Sequence, residues 1–398
     1  MKFTPSRRGI TSEILLVSLA IFFADASHST VIPIFPGFAQ EIEASLSMLG
    51  SFGSVLALTM FLFSLPLGRL SDKLGRKRMM IPGLVLLIFV PLSYLLASSP
   101  LHLYPIRMFL RLGVGLTFSN GFLLMTEVAN SESKDTAQGL YMTSMGLGFT
   151  VGPLIGGFMA KLYGSNVSFM ISAGFGILSL LVLYFVNEKK RKAQGDKPRA
   201  KTPFSSILKD HQVLAGGVAN YLNSLMHNAM TQFFPVYGAS IGFDESQIGA
   251  GFTARGLAGT SVRLPVGSLT KHIRALYLMV FGLVLSSLTI FTVSQSSSLM
   301  IVSLLMGVQG IAYGIYLTSG NVYVALNSDE ENRGTAMAVY LMFGNLSGII
   351  NPLILGFIAE TFGSARALQF SSLMTLVGVA LVYLLVARKS PHISHALS

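Results

Sequence analysis

Long apolar segments of about 20 residues follow one another along most of this chain and restrict what it can fold into. A segment of that length crosses a bilayer as an α-helix, because a helix satisfies its backbone hydrogen bonds internally where water is absent. Only 11% of the residues are charged, whereas soluble domains have about 25%. We therefore predict an all-α integral membrane protein with twelve transmembrane helices, near residues 12–34, 46–67, 78–97, 101–126, 136–161, 166–187, 212–235, 246–267, 275–294, 298–325, 335–359 and 366–386.

The second half of the sequence repeats the first at a constant offset of 199 residues. Pro153 matches Pro352 and His28 matches His227, and the register does not slip between these pairs. A period this long indicates a duplicated domain rather than a solenoid unit. We predict an N-terminal six-helix bundle at 1–187, a cytoplasmic linker at 188–211 and a C-terminal six-helix bundle at 212–398.

The basic residues are distributed unevenly between the two sides of the predicted membrane. With both termini in the cytoplasm, 22 of the 28 Lys and Arg residues fall in cytoplasmic segments. This asymmetry is what the positive-inside rule predicts. We expect a multi-pass protein of the cell (plasma) membrane with both termini cytoplasmic. The net charge of +11 then faces the inner lipid surface and does not indicate nucleic-acid binding.

The sequence also excludes several kinds of chemistry. The chain has no cysteine, which rules out disulfides, thiol catalysis and thiolate metal sites. No activated nucleophile, metal-ligand cluster or cofactor loop is recognisable, so we predict that the protein is not an enzyme and holds no metal or cofactor. The expected partners are a small-molecule substrate, protons and the lipid bilayer, and we expect a monomer.

The segment that begins at Gly68, between spans 2 and 3, reads GRLSDKLGRKR. It resembles the signature loop of the major facilitator superfamily, G-x-L-x-D-x-x-G-R-[KR]-[KR]. The resemblance implies that Asp72 faces the start of span 11, where backbone N–H groups favour an anion, and that Arg76 pairs with Glu127. With the glycines Gly68 and Gly75, these residues would form a latch at the cytoplasmic gate. The alternative is that the basic residues only set the topology.

Span 5 contains the pattern G-x-x-x-G-P-x-x-G-G. It resembles the span-5 signature of the 12-span drug:proton antiporters in the same superfamily, which implies export rather than uptake. Glycines at every fourth position leave a helix face without side chains on which another helix can pack, and the proline adds a bend. The alternative is an ordinary packing stripe of small residues. The pattern consists of Gly148, Gly152, Pro153, Gly156 and Gly157.

Four ionisable side chains lie deep inside the predicted spans, namely Asp25, Arg107, Arg111 and Arg255. Each charge at the bilayer centre costs about 2.5–3.5 kcal/mol, so these groups must face one another or water. Span 4 partly resembles the superfamily motif R-x-x-x-G-x-G, whose arginine is implicated in proton coupling, although Arg111 replaces the first glycine. We predict that Asp25 carries a proton, with Arg107 and Arg111 favouring its charged form. A static ion pair is the alternative, and Glu127 is the rival carboxylate.

Polar side chains recur at helical spacing in spans 7 and 10. Spans 1 and 7 line the central cavity in the superfamily that this chain resembles, and His28 and His227 occupy equivalent places in them. These histidines either assist proton transfer or hydrogen-bond across helices. The predicted cavity residues are His28, Asn220, Asn223, His227, Arg255, Gln309, Tyr313 and Tyr316.

Together these features predict a secondary transporter that works by alternating access around a central site. The first hypothesis is a proton-coupled exporter, an antiporter of small organic compounds or drugs that uses the proton gradient as its energy source. The first alternative is an uptake transporter or facilitator of a polar or anionic metabolite, which the excess of intramembrane arginine would suit. The second is a non-transporting membrane sensor, which would usually carry a soluble output domain.

Overall fold

The computed structural model describes residues 11–130, 133–187, 207–208, 210–329 and 332–387, so most of the predicted linker lies outside the described residues. Within these ranges the chain forms helices joined by short turns. The α-helices are α1 Ser12–Thr30, α2 Phe35–Glu41, α3 Leu46–Leu74, α4 Arg76–Tyr94, α5 Leu103–Val128, α6 Lys134–Tyr163, α7 Ser165–Tyr184, α8 His211–Asn228, α9 Phe234–Ser240, α10 Glu245–Leu269, α11 Ala275–Val293, α12 Leu299–Leu326, α13 Arg333–Phe362 and α14 Ser364–Ala387.

Ten helical segments of the described chain are long and apolar enough to cross a membrane, the first of them being the combined segment Ser12–Glu41. Two further segments, residues 211–240 and α10, have similar lengths but carry buried polar side chains such as Asn220 and Arg255. They occupy the places of predicted spans 7 and 8. The predicted all-α membrane fold is therefore confirmed, and the two polar segments bring its helices to the predicted twelve.

Predicted spans 1 and 7 are longer than expected, and both are interrupted at equivalent places. Span 1 turns after α1 and resumes as α2, which has Pro36 in its first turn. Span 7 contains a π-helical turn, Ala229–Phe233, and resumes as α9 with Pro235 in its first turn. A proline fits the first turn of a helix because the missing N–H has no partner there. The duplication has thus preserved a break as well as the helices.

The buried apolar side chains form two separate cores. Apart from Val236, one core consists of residues between 14 and 186, and the other consists of residues between 207 and 382. Large aromatic side chains anchor both, for example Phe52 and Phe169 in the first and Phe252 in the second. Separate cores agree with the duplicated sequence. The division at residues 187 and 212 stays a prediction, because most of the linker is outside the described residues.

Two pairs of helices, α3 with α13 and α6 with α10, make most of the contacts between the two halves. A Cβ atom on Gly50 of α3 would collide with the carbonyl oxygen of Pro352 on α13. A Cβ atom on Gly249 of α10 would likewise collide with the carbonyl oxygen of Pro153 on α6. Both pairs are related by the offset of 199 residues. The interface between the halves is therefore built twice from the same elements.

Polar contacts join the halves at one end of these helix pairs, which we call the closed end, while toward the other end Arg263 Nη1 donates to the carbonyl oxygen of Met142 at 3.4 Å. Lys161 Nζ, near the end of α6, lies 2.9 Å from Asp244 Oδ2 at the start of α10. Glu360 Oε2, near the end of α13, accepts hydrogen bonds from the backbone N–H groups of Leu46 at 2.7 Å and Ser47 at 3.1 Å. These N–H groups belong to the first turn of α3 and carry a partial positive charge. The opposite end, which carries the Gly68–Arg78 segment, is the loop end.

Candidate functional site

A cavity of about 400 Å³ lies between the two halves. Helices α1, α3 and α5 line it from the first half, and α8, α12 and α13 line it from the second. The π-helical turn brings Thr231 and Gln232 to its wall as well. Five of the predicted cavity residues line it, namely His28, Asn220, Asn223, His227 and Tyr313.

Arg107 and Arg111 project from α5 into this cavity, one helical turn apart. The guanidinium carbon of Arg107 lies 3.6 Å from the ring centroid of Phe35, which places the cation on the negative face of the ring. Arg107 is only 9% exposed. In the described part of the chain, the Nε atoms of both arginines are buried and have no hydrogen-bond partner. Both guanidinium groups therefore have unused donors in the cavity region.

Arg255 of α10 was expected on the cavity wall, but it is buried behind the wall and contacts two wall residues, Tyr313 and His227. Its Nε donates to Gln309 Oε1, and its guanidinium carbon lies 5.1 Å from the ring centroid of Tyr313. Its Nη2 lies 3.4 Å from Nδ1 of His227, whose ring stacks on Tyr313 with centroids 5.4 Å apart. A guanidinium group can only donate, so His227 Nδ1 accepts this bond and the ring carries its proton on Nε2.

Gln309 and Tyr316 were expected on the cavity wall, but the structure places both in the bundle of the second half. Gln309 bridges Arg255 and Ser286, whose Oγ lies 3.0 Å from Gln309 Nε2. The Tyr316 hydroxyl lies 3.2 Å from the hydroxyl of Tyr340. Both side chains are at most 1% exposed. They share a helical stripe with Tyr313, but polar partners on neighbouring helices hold them away from the cavity.

Asp25 is not brought together with Arg107 and Arg111. Among the described residues, no ion pair joins its carboxylate to either arginine. Its Cβ atom packs on Gly148 of α6, and the cation that interacts with it electrostatically is Arg263 of α10. Glycines on α6 let α1 approach closely, so Asp25 faces that contact instead of the cavity. The expected Asp25–arginine cluster is therefore absent from this conformation.

The glycine pattern of span 5 serves two contacts at once. Gly148, Gly152 and Gly156 face α1, where added Cβ atoms would collide with the backbone of Phe22, Ala26 and Thr30 respectively. Gly157, on the next position, faces α10, and a Cβ atom there would collide with the carbonyl oxygen of Glu245. Pro153 supplies the carbonyl oxygen on which Gly249 packs. The pattern thus couples α1 to the interface between the halves.

At the loop end, Arg76 is buried and its guanidinium contacts three side chains. Nη2 lies 2.8 Å from Asp72 Oδ1, Nε lies 3.3 Å from Glu127 Oε1, and Nη1 donates to Ser71 Oγ at 2.6 Å. Gly75 separates α3 from α4 with φ = 95°, a backbone conformation that favours glycine. The geometry therefore brings together Arg76, Asp72 and Glu127.

The contact expected between Asp72 and the start of α13 stays a prediction. The Asp72 side chain is 61% exposed and lies beside Arg76. A Cβ atom built on Gly68 or on Gly334, which follows the first residue of α13, would have no described atom within 4 Å. Neither glycine is therefore in a close helix contact with the described residues.

Several residues of the site were not identified from the sequence. Phe35, Gln232 and Asn345 line the cavity, and their pattern is indistinguishable from that of helix-packing residues. The contacts at the closed end were also missed. The duplication offered a signal for these contacts. Lys161 and Glu360 are equivalent at the offset of 199 residues, so each half has a charged residue near the end of the same helix.

Comparison with known proteins agrees with this architecture. The sequence model of the Major Facilitator Superfamily matches residues 17–244 and 221–397. Multidrug resistance protein 1 of Bacillus subtilis is 22% identical over 388 residues, which cover 97% of this chain and 98% of that protein.

Two solved transporters share the fold. A bacterial homologue of the human lysosomal transporter Spinster superposes with a TM-score of 0.77 at 15% identity, covering 96% of this chain and 97% of that one. The nucleoside transporter NupG superposes with a TM-score of 0.76 at 13% identity, covering 95% of this chain and 100% of that one. The two halves, the cavity between them and the family match make this chain a member of the Major Facilitator Superfamily, a membrane transporter and not an enzyme.

Proposed function

We propose that the protein is a proton-coupled exporter of small organic compounds that works by alternating access. The observation that carries the proposal is the cavity between the halves, which the contacts of the closed end separate from one side of the membrane. The similarity to Multidrug resistance protein 1 of Bacillus subtilis supports export of drug-like compounds. With both termini cytoplasmic, the closed end faces outward from the plasma membrane, and the transporter acts as a monomer.

Asp25 is the proton carrier in this proposal. It is 5% exposed, and an acid inside a transmembrane helix has a functional role by default. Arg263 of the second half interacts with it electrostatically, so movement of one half against the other changes the charge that Asp25 experiences. Arg107 and Arg111 act on the solute in the cavity, and through His28, one turn from Asp25, they link the solute to the proton site.

The residues at the loop end form the inner gate in this proposal. Arg76 joins Asp72 to Glu127, and so connects the segment after α3 to the end of α5. When the loop end closes, Asp72 meets the first N–H groups of α13, which attract an anion. Each half-cycle would thus exchange contacts at one end of the molecule for contacts at the other.

A second candidate function is uptake or facilitated diffusion of a polar or anionic metabolite on the same fold. The arginine-lined cavity favours it, because a positive cavity attracts anions more strongly than lipophilic cations.

Flux measurements in proteoliposomes separate these functions. The wild type, Asp25→Asn and the matched control Glu41→Gln, an exposed acid on α2, are assayed with and without an imposed pH gradient. We expect the gradient to accelerate solute flux in the direction opposite to the protons, in the wild type and the control but not in Asp25→Asn. Flux in the direction of the protons would favour uptake. Flux that the gradient changes in none of the three proteins would refute coupling.

A further inference from the structure

We infer that the central cavity binds an organic anion, with its acidic headgroup held between Arg107 and Arg111 of the first half and His227 of the second. Arg255 holds His227 from behind. The inference deepens the proposed function, since it takes the anion to be the transported solute. The binding site itself follows from the geometry of these side chains.

Unused hydrogen-bond donors converge on the cavity from both halves. Among the described residues, Arg107 Nε, Arg111 Nε and Arg255 Nη1 are buried without a hydrogen-bond partner. Arg107 is 9% exposed and Arg255 is 3% exposed. Guanidinium groups remain charged in proteins and have no acceptor of their own. Three such groups therefore present positive charge that this part of the protein does not neutralise.

The side chains of the cavity wall cannot supply the missing negative charge. No aspartate or glutamate is among the described residues that line the cavity. The polar groups on the wall other than arginine and histidine are amides and hydroxyls, which are neutral. Asp25, the acid nearest in sequence to the wall residue His28, packs on Gly148 of α6. A bound anion would supply the negative charge that the cavity wall lacks.

His28 and His227, which are equivalent at the offset of 199 residues, lie beside the cationic groups around the cavity. His28 lines the wall of the first half and interacts electrostatically with Arg111 and Arg107. His227 lines the wall of the second half, where Arg255 donates to its Nδ1 and leaves Nε2 as a donor. The first half thus contributes two arginines and a histidine, and the second half contributes an arginine and a histidine. Such an array of N–H donors suits a carboxylate, sulfonate or phosphate group, which accepts several hydrogen bonds at once.

The remaining wall is apolar and specifies the rest of the ligand. Its aliphatic part includes Val31, Ile32, Leu110, Val114, Leu317 and Leu341. The cavity volume of about 400 Å³ falls in the range of sites for drug-sized molecules, roughly 300–1,000 Å³. An inorganic ion would leave these side chains unused. The ligand class is therefore a small organic acid with an apolar body.

The test compares three ligands of one shape that differ in charge. Isothermal titration calorimetry on the purified full-length protein in lipid nanodiscs uses 2-naphthoate, 2-naphthamide and 2-(aminomethyl)naphthalene. We expect saturable binding of 2-naphthoate, with affinity at least tenfold above that of the amide and the ammonium compound. Equal or stronger binding of the ammonium compound overturns the inference. Octanoate and naphthalene-2-sulfonate are titrated as two further acids, and the absence of saturable binding of all three acids also overturns the inference.

Variants connect the binding to the arginines. Arg111→Gln and Arg107→Gln are each expected to weaken 2-naphthoate binding at least tenfold, whereas Arg111→Lys retains the charge and most of the affinity. Arg366→Gln, which removes an exposed arginine at the start of α14, is the matched control and leaves the affinity unchanged. Without ligand, Arg111→Gln is expected to melt at or above the temperature of the wild type, because a partly buried charge that meets no acid on the cavity wall has been removed. Unchanged affinity in both glutamine variants overturns the assignment.

Two further measurements distinguish an organic-anion site from an inorganic-anion site, and a failure of the binding site from a failure of the proposed transport. Replacing chloride by gluconate in the buffer is expected to change 2-naphthoate affinity less than twofold. If chloride binds as tightly as the organic acids, the site is an inorganic-anion site and the inference fails. Anion binding without flux in proteoliposomes would refute the proposed transport and leave the site intact. Flux without charge discrimination would refute the site and leave the transport intact.

Discussion

The Arg76 side chain holds together the segment between α3 and α4. It donates to Ser71 and contacts Asp72 and Glu127, and it is buried although both acids are partly exposed. A hydrogen bond to a charged group contributes about 1.5–3 kcal/mol, and a buried partner left without one costs about 1–3 kcal/mol. One guanidinium group thus determines how the loop end is assembled.

We expect Arg76→Ala to lower the free energy of unfolding by about 1–3 kcal/mol, because Ser71 and Glu127 lose their charged donor. The exposed neighbour Arg78 provides a matched control, and Arg78→Ala should change the same quantity by less than about 0.5 kcal/mol. Unfolding in mixed micelles of increasing SDS fraction measures both. Equal effects of the two substitutions would mean that Arg76 acts only as a topology charge.

Asp244 at the closed end remains ionised at physiological pH. Burial acts to raise the pKa of its carboxyl, but hydrogen bonds from Ser246, Lys161 and the backbone N–H of Gln247 outweigh burial and lower the pKa from 3.8 to about 2. A depressed pKa in the folded state stabilises the fold above pH 3.8, and this stabilisation is lost as the pH falls through about 2. Its protonation state is therefore constant from about pH 5 to pH 8.

We expect Asp244→Asn to leave the shape of the pH profile of transport unchanged between about pH 5 and pH 8, since Asp244 does not titrate there. Solute flux in proteoliposomes, measured at several pH values with equal pH on both sides, provides the profile. The wild type is the reference, and absolute rates are free to differ. A profile whose midpoint shifts in the variant would show that Asp244 takes part in proton transfer.

Helix α6 is the element that contacts both α1 and the other half. Its glycines allow backbone approach on the α1 side, and a Cβ atom on Gly152 would lie 2.7 Å from the carbonyl oxygen of Ala26. The backbone atoms of α1 cannot move aside as a flexible side chain could. The position therefore tolerates no side chain without displacing one helix from the other.

We expect Gly152→Ala to lower the free energy of unfolding by about 1–3 kcal/mol, the usual cost of overpacking. Gly174 on α7 serves as the matched control, because a Cβ atom there would have no described atom within 4 Å. Gly174→Ala should be neutral or stabilising by up to about 1 kcal/mol, since alanine is the better helix former. Both variants are compared by SDS unfolding. A larger loss for Gly174→Ala would contradict this packing.

The helices could be predicted from the sequence, whereas the orientation of their faces could not. The length of each apolar segment is a local property of the sequence and defined the helices. The repeat at an offset of 199 residues then showed that the second half has the same helices as the first. Asp25 and His28 lie three residues apart, which separates them by only about 60° around a helix. A small rotation of α1 decides which of them faces the cavity, and close packing on Gly148 fixes that rotation. Packing between distant segments leaves no comparable local pattern.

At the scale of the whole molecule, the duplication gives the closed end two related contacts of different chemistry. Lys161 and Glu360 are equivalent positions with opposite charges. Lys161 pairs with Asp244, the residue that caps α10, and Glu360 binds the first N–H groups of α3 directly. Each contact therefore joins the end of one helix to the start of a helix in the other half. The two contacts must break together when the closed end opens.

We expect the double variant Lys161→Ala with Glu360→Gln to favour opening of the closed end by about 2- to 30-fold. An exposed ion pair contributes about 0.2–1 kcal/mol and a charge at a helix terminus about 0.3–1 kcal/mol, and 1.4 kcal/mol corresponds to a tenfold change. The native chain has no cysteine, so Ile32→Cys on the cavity wall supplies a single reactive thiol. Its labelling rate with an impermeant maleimide, added on the side of the closed end, reports the opening.

The control for this experiment removes a charge at the same end without touching the contacts between the halves. Arg366 is exposed and donates to Gln369 within its own helix, so Arg366→Ala should leave the labelling rate unchanged. A faster labelling rate in both the double variant and Arg366→Ala would indicate a general loss of stability. If the double variant labels no faster than the wild type, close backbone packing such as that at Gly50 and Gly249 keeps the halves together. The polar contacts would then only mark an interface that backbone packing maintains.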